Sequence, residues 1–256
     1  MEKKVKKSAK TVKSVGKKTI KSSLEFLKID VSELLEAGCH FGHRVSKTHP
    51  KIKPFLYTAR DGVQIFDLFK TAECMEKAGK FLIEVVSKGG KVVLLGTKRQ
   101  ARDYVRKAAK ETEMPYVVVR WLGGTITNWD EIKKQINGFT KLKEDFEKGV
   151  YEKRTKAEQA EIKRNLYKSE QKFGGLVGLK KLPEALFVVD ITREHTAIKE
   201  AHVKGIPVIA LVDSNSNPSL IDYPIPANDD AKKSLQLIIN WISKVISENR
   251  KEVKDD

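Results

Sequence analysis

The sequence predicts an α/β protein: a three-layer, open parallel sheet flanked by helices, with a protruding antiparallel coiled-coil helical hairpin set into it. Three observations predict it. The short, uncharged runs Val92 to Leu95, Ala185 to Val189 and Val208 to Val212 have the composition of strands covered on both faces. The first two are followed by segments with apolar residues at helical spacing, the alternation that winds a parallel sheet. Residues 128–180 instead carry one narrow apolar stripe. It runs through Trp129, Ile132, Ile136, Phe139, Leu142 and Phe146, then Ile162, Leu166, Ser169 and Phe173, at the steps of three and four that pack two helices on each other. The general plan is flavodoxin-like, with the strand order left open by the spacing.

Composition narrows the class further. A chain of 256 residues holds one sizeable domain plus an appendage. Two cysteines, Cys39 and Cys74, are too few for a disulfide framework and point to a reducing compartment. No apolar run approaches the roughly 18 residues that cross a bilayer, and no hydrophobic signal core opens the chain. The expectation is a cytoplasmic protein with no membrane partner.

The formal charge is +16, and the first 21 residues hold nine lysines against Glu2 alone, a net of +8. Half the excess therefore lies in a tail. Lys3, Lys4, Lys6, Lys7, Lys10, Lys13, Lys17 and Lys18 cannot pack together, so residues 1–23 are expected to form a disordered arm that drapes over a polyanion. A mitochondrial presequence would carry arginine, which this arm lacks. The rest of the chain is basic too, and nucleic acid is the usual partner of a basic globular body. The expected division is the arm, an α/β domain from 24–127 and 181–247, the hairpin at 128–180, and a charged tail at 248–256.

In chain order, Asp30 with Glu33 reads as the capped start of a short helix ended by Gly38. The segment Cys39-His40-Phe41-Gly42-His43-Arg44, with Lys47, His49, Lys51 and Lys53 after it, reads as a loop rich in cations and imidazoles. Phe55 to Tyr57 and Val63 to Phe66 form a hairpin about Asp61-Gly62. A helix follows from about Thr71 to Val86, then strand Val92 to Leu95, helix Arg99 to Lys110 and strand Tyr116 to Val119. Gly123 and Gly124 break that strand, and Asn128 with Glu131 has the form of a helix cap. Arg120, Trp121 and Trp129 gather a cation and two indoles at this joint; they either hold an RNA backbone and its bases or wedge the arm against the sheet. Thr155 with Glu158 caps the second arm helix. The 13 lysines and arginines of residues 128–180 against nine acids, a net of +4, suit a partner-reaching arm or a merely solvated one. Beyond the arm come strand Ala185 to Val189, helix Thr196 to Val203, strand Val208 to Val212, a short strand near Ile221 to Ile225, and a last helix Asp229 to Ile246.

Each catalytic reading meets a structural competitor. Gly96-Thr97-Lys98-Arg99 follows a strand, yet the chain has neither phosphate-cradling glycine motif, and Thr97 with Gln100 makes a capping box. Asp190 with Arg193, Glu194 and His195 sits where doubly wound folds place ligands, while Asp190 and Thr192 also suit turn and cap duty. Cys39, His40, His43 and His49 raise the question of zinc, but adjacent Cys and His do not easily face one ion. No catalytic residue, cofactor or metal is therefore assigned. The alternative to a binding protein is a small-molecule or nucleotide-binding enzyme using the loops at the strand ends.

Six blocks in register carry a resemblance: Ala37 to His43, Gly96 to Arg99, Arg120 to Trp129, Leu182 to Asp190, Gly205 to Val208 and Ile225 to Ala231. Together they resemble the bacterial-type small-subunit ribosomal protein S-two family, from about Val31 to Ile246. The resemblance implies a non-enzymatic component of the small ribosomal subunit. It would touch ribosomal RNA and neighbouring proteins and help anchor the messenger-capturing S-one protein. Carried onto this chain, it makes Arg120 to Trp129 the joint between sheet and hairpin and offers the Gly42-His43-Arg44 loop and the Thr97-Lys98-Arg99 turn as RNA-facing. The expected RNA-binding residues are then His43, Arg44, Lys47, Lys51, Lys98, Arg99, Arg102, Arg120, Trp121, Asn128, Trp129 and Lys133 beside the arm lysines. The arm lies outside the family core, and Leu179-Lys180-Lys181 replaces glycines familiar at the hairpin base.

Overall fold

Five parallel strands form the centre of the computed structural model, which describes residues 27–250. The expected lysine arm of residues 1–23 and most of the C-terminal tail lie outside the described residues. Before the parallel sheet come helix α1 (Val31–Glu36) and three strands, β1 (Phe41–Arg44), β2 (Leu56–Arg60) and β3 (Val63–Phe66), joined by 3₁₀ turns at Val45–Lys47 and Pro50–Phe55. Helix α2 (Leu68–Ser87) leads into β4 (Val92–Leu95), α3 (Arg102–Thr112) and β5 (Tyr116–Val117). Two helices follow, α4 (Trp129–Glu147) and α5 (Lys156–Phe173). The chain then returns through β6 (Ala185–Val188), α6 (His195–Val203), β7 (Val208–Val212), β8 (Tyr223–Pro226) and α7 (Lys232–Asn249).

The parallel strands lie in the order β5-β4-β6-β7-β8. Counted from the first of them this is 2-1-3-4-5, the flavodoxin-like order, and the sheet reverses direction between β4 and β6. Alternating side chains divide the core in two. Val92, Leu94, Phe187, Ile209 and Leu211 pack beneath Met75, Leu82, Val105, Ile238 and Ile242 of α2, α3 and α7. Val93, Leu95, Leu186, Val188, Ala210 and Val212 face the other way, toward Ile198 of α6. Among these layers one face has three helices and the other has one, and the base of the inserted helices fills the difference. Ile132, Ile136 and Phe139 of α4 and Phe173 of α5 are buried there with Leu176 and Leu179.

Farther out the stripe of α4 and α5 is only half-buried, at Leu142, Phe146, Ile162 and Leu166, as expected for helices that cover each other and nothing else. Lys143 reaches Glu170 at 3.8 Å and Lys163 lies 5.7 Å from the Phe146 ring centre, so the two helices touch at these positions. Thr155 and Glu158 form the expected reciprocal cap of α5. Gly175 marks the tightest approach at the base. A Cβ there would sit 2.2 Å from the Tyr116 carbonyl oxygen, a backbone atom that cannot swing away. Gly175→Ala is expected to cost about 3 kcal/mol, at the upper end of overpacking penalties. Urea unfolding would reveal it, and an unshifted midpoint would contradict this packing.

Several boundaries differ from expectation for local reasons. Phe41 to Arg44, expected as loop, is a strand, because its backbone pairs antiparallel with β3 in the order β1-β3-β2. Asp61 and Gly62, both at positive φ, make the tight turn that joins β2 to β3. Helix α2 starts three residues early because Asp67 accepts from the Phe69 and Lys70 amides at 3.1 and 3.4 Å. Helix α3 begins at Arg102 without a side-chain cap, so the box expected of Thr97 and Gln100 is absent. Asn128 occupies the cap position of α4, but its side chain makes no capping bond. Helix α7 starts at Lys232, because the Asn228 side-chain oxygen holds the Asp230 and Ala231 amides in a turn at 2.8 and 3.0 Å.

Candidate nucleic-acid interface

At the carboxyl ends of β4, β6, β7 and β8 the crevice where such folds take ligands is filled by the chain's own charges. The Lys98 ammonium lies 2.6 Å from Asp229, 2.6 Å from Asp230 and 3.7 Å from Asp190. His43, brought over by β1, sits 3.0 Å from Asp213 through Nδ1 and 3.5 Å from Asp230 through Nε2. Gly42 makes this approach possible, since a Cβ there would meet Ser214 Oγ at 2.8 Å. The same hydroxyl accepts from the His43 amide at 2.7 Å.

Four carboxylates surround one ammonium and one imidazole here, and the titrations shift accordingly. Burial pushes Asp229 up to about 7, helped by Asp213 and Asp190 and opposed by Lys98. Burial alone would lower Lys98, but Asp229, Asp230 and Asp190 outweigh it and raise the net value. The bond to Asp213 raises His43, against burial. Beside the cluster, Glu194 is pushed up by burial while it accepts from the Thr97 amide at 3.3 Å and from the Thr97 hydroxyl. Thr97 thus points to a residue 97 positions away rather than to its own helix.

One imidazole nitrogen and two carboxylate oxygens, from His43, Asp213 and Asp230, lie within 4.8 Å of one another and form the one group with metal-ligand spacing among the described residues. Lys98 already pairs with Asp230 at 2.6 Å and the His43 ring bonds to Asp213 at 3.0 Å, so these oxygens are taken up by the chain's own side chains. Cys39 and His40 do not join it; Cys39 is fully buried and burial pushes its thiol up.

The joint between sheet and arm is built differently. Gly124, at φ 90°, turns the chain so that three amides point at one buried carboxylate, Glu200 of α6. Glu200 Oε1 accepts from Gly124 N at 2.8 Å and from the Trp121 indole at 3.2 Å. Its Oε2 accepts from Ile126 N, Thr127 N and the Thr127 hydroxyl, each at 3.0 Å. Trp121 is therefore a wedge, 7% exposed, and Trp129 is half-buried against the same core. Arg120, Asn128 and Lys133 remain exposed. Glu200 is absent from the site residues that the sequence suggests, although an acid beside Ala197, Ile198 and Ala201 on the inward stripe of α6 is a usable signal.

The remaining cations form a rim. Between Glu36 and Asp61 the chain has Arg44, Lys47, Lys51, Lys53 and Arg60 and no acid at all. All five are exposed, and among the described residues the one carboxylate paired with any of them is Asp61, 3.7 Å from Arg60 at the surface. Arg99 is exposed beside them, whereas Arg102 is half-buried and donates to the Thr97 carbonyl at 2.9 Å. Of the expected RNA-facing residues, Arg44, Lys47, Lys51, Arg99, Arg120, Asn128 and Lys133 thus face solvent. Lys98, His43 and Trp121 are held by the protein itself. Lys3 to Lys18 lie outside the described residues.

A doubly wound sheet whose ligand crevice is closed by internal ion pairs, with an acid-free basic rim and a bracketed helical arm, is a binding scaffold rather than a small-molecule catalyst. Residues 34–249 match the family model described as ribosomal protein S2, and the chain belongs to that family. It is 43% identical over 216 residues to the small ribosomal subunit protein uS2 of Opitutus terrae, covering 84% of this chain and 72% of that one. The uS2 protein of Roseiflexus castenholzii is 42% identical over 222 residues, 87% of this chain and 84% of that one. That of Christiangramia forsetii is 40% identical over 229 residues, 90% and 77% of the two chains. The family is one of structural ribosomal proteins, and the chain is not an enzyme. Among the described residues no helix is long and apolar enough to cross a membrane.

Proposed function

We propose that this protein is a structural component of the small ribosomal subunit in the cytoplasm, binding ribosomal RNA and neighbouring ribosomal proteins. The observation that carries the reading is the acid-free rim: five lysines and arginines between Glu36 and Asp61 with no carboxylate among them. Exposed cations with few or no carboxylate partners neutralise phosphates and fix orientation, while base reading plays little part. The coiled-coil arm extends the same surface, with Arg120 and Lys133 at its base. The lysines of residues 1–21 add contacts that tighten binding without needing a defined shape.

Protein partners would use the aromatic side of the small antiparallel sheet. Phe41 is 48% and Tyr57 76% exposed, and both belong to strands of this sheet. We assign the hold on the S-one protein to this surface.

The test replaces three exposed rim cations, as Arg44→Glu, Lys47→Glu and Lys53→Glu together. Losing three contacts and adding three repulsions is expected to weaken subunit association about 100-fold or more at physiological salt. The melting temperature should stay within about a degree, because exposed side chains that hold no ion pair contribute little to stability. Unchanged association would refute the reading.

A further inference from the structure

We infer that the groove between the start of α6, the β7–β8 connection and the 3₁₀ turn Pro50–Phe55 seats one unpaired RNA nucleotide, its base on the groove floor and its phosphate on the basic rim. The inference rests on the RNA-binding reading and names the ligand of one part of that surface.

The groove has a volume of about 340 Å³, room for a base with its sugar. Ile191, Ile198 and Ile221 supply an apolar floor, and no acid lines it. Three other concavities carry carboxylates in their walls: Glu113 beside Lys91, Glu33 and Glu36 beside Lys233, Glu84 and Glu184 beside Lys88. Those would repel a polyphosphate. A fourth, at the base of α4 and α5, is also free of acids but has Lys172 as its one cation and lies apart from the rim residues.

The rim groups have fixed polarity. His49 Nδ1 accepts from the Lys51 amide at 3.2 Å, so in the neutral ring the proton is on Nε2 and that nitrogen is a donor. Asn217 Oδ1 accepts from the Ser219 amide at 3.1 Å and from the Ser219 hydroxyl at 2.7 Å. An amide N–H can only donate, so the Asn217 orientation is set and its NH₂ group is left over. Asn215 is bonded to Ser216 Oγ at 2.9 Å, a hydroxyl that can donate or accept, so this side chain can present either end to the groove. Lys199 stands exposed on the same wall, and Lys51 is tied to the β7–β8 connection through Ser219 Oγ at 2.5 Å. The two groups so fixed, His49 Nε2 and the Asn217 NH₂, are donors, and the Lys199 ammonium adds a third.

A ligand that answers only donors presents acceptors: phosphate oxygens and the carbonyl and ring-nitrogen edges of a base. A flat apolar body between such edges is an unstacked nucleobase, the form in which single-stranded RNA is recognised. Paired RNA hides its base faces and would meet only the rim. The groove also adjoins the acid-free rim, since His49 lines it and the rim's Lys51 bonds to Ser219, the chain neighbour of Leu220 in its wall, so a strand held on the rim passes over it.

The test uses the full-length chain assembled into small subunits, carrying Leu220→p-benzoylphenylalanine at the groove mouth, where Leu220 is 38% exposed. Irradiation should crosslink it to one short stretch of small-subunit RNA. The Asn217→Asp variant keeps the oxygen that accepts from the Ser219 amide but turns the outward donor into an acceptor, and it should lower the yield at least tenfold. Lys199→Gln, at an exposed position, should lower it severalfold without touching the turn. Crosslinking to a protein, no crosslink at all, or a yield unchanged by both variants would overturn the inference. If the subunit association of the same chains still falls with salt, this groove alone has been misread. If association is indifferent to salt, the broader RNA-binding reading fails with it.

Discussion

Glu200→Ala is expected to lower stability by about 4 kcal/mol, and the melting temperature by roughly 10 °C for a chain of this size. The residue accepts five hydrogen bonds from the turn that starts the helical arm: three backbone amides, one indole and one hydroxyl. Each donor left buried without a partner costs about 1–3 kcal/mol, and entering water recovers part of the total. Glu200→Gln should lose about half as much, because one oxygen survives while the new NH₂ faces donors. Burial raises the Glu200 carboxyl, but the bonds from Thr127, Ile126, Gly124 and Trp121 outweigh it and the net shift is downward. A carboxylate depressed in the folded state gives stability that is present above its unfolded range. That stability is lost as pH falls through the folded value. The alanine variant should therefore lose its disadvantage in strong acid. Hydrogen exchange supplies the local readout, with the Gly124, Ile126 and Thr127 amides exchanging faster. Unaltered exchange there would mean that Glu200 does not hold the joint.

Lys98→Met is expected to cost about 3–5 kcal/mol at pH 8, the usual result of removing one partner from a buried ion cluster. Methionine fills the space but leaves Asp190, Asp229 and Asp230 facing one another. Asp229 titrates at about 7 in the folded protein, above its ordinary value of 3.8. Its protonation thus favours the folded state. That contribution is complete below the unfolded value and disappears as pH rises through about 7. Without the ammonium, which lowers Asp229, the dependence should become steeper. The penalty of the Lys98→Met substitution should accordingly be smaller at about pH 5.5 than at about pH 8 in urea unfolding. The raised Lys98 value keeps the ammonium itself charged across this whole range. A lysine serving mainly as a phosphate contact would behave oppositely, losing RNA affinity with no change in unfolding midpoint.

What the sequence disclosed and what it withheld divide by range. Val92 to Leu95, Ala185 to Val188 and Val208 to Val212 are legible because burial on both faces demands a local composition. The Thr155 and Glu158 cap is legible because both partners lie within one turn. Phe41 to Arg44 is not, since a strand with glycine, histidine and arginine takes its conformation from pairing with Val63 and Ile65. Thr97 misleads for a similar reason: its hydroxyl has a local use in a cap, and a buried glutamate 97 residues on claims it instead.

The candidate site follows the same rule. Arg44, Lys47 and Lys51 can be chosen from the sequence because an acid-free run is visible in one dimension. Lys98 looks equivalent to them, but its three acids come from two other strand ends. The bracket at Glu200 joins residues more than 70 positions apart, and only the folded sheet places α6 beneath the joint.

The central claim is that charge left unpaired by the fold holds this chain to ribosomal RNA. The most direct measurement is the affinity of the full-length chain for small subunits lacking it, followed over a series of salt concentrations. Log affinity should fall linearly with log salt, at about 0.7 to 0.9 per phosphate neutralised. Deleting residues 1–21 should flatten that line while leaving it falling, because the acid-free rim remains. An affinity that stays level as salt rises would contradict the claim.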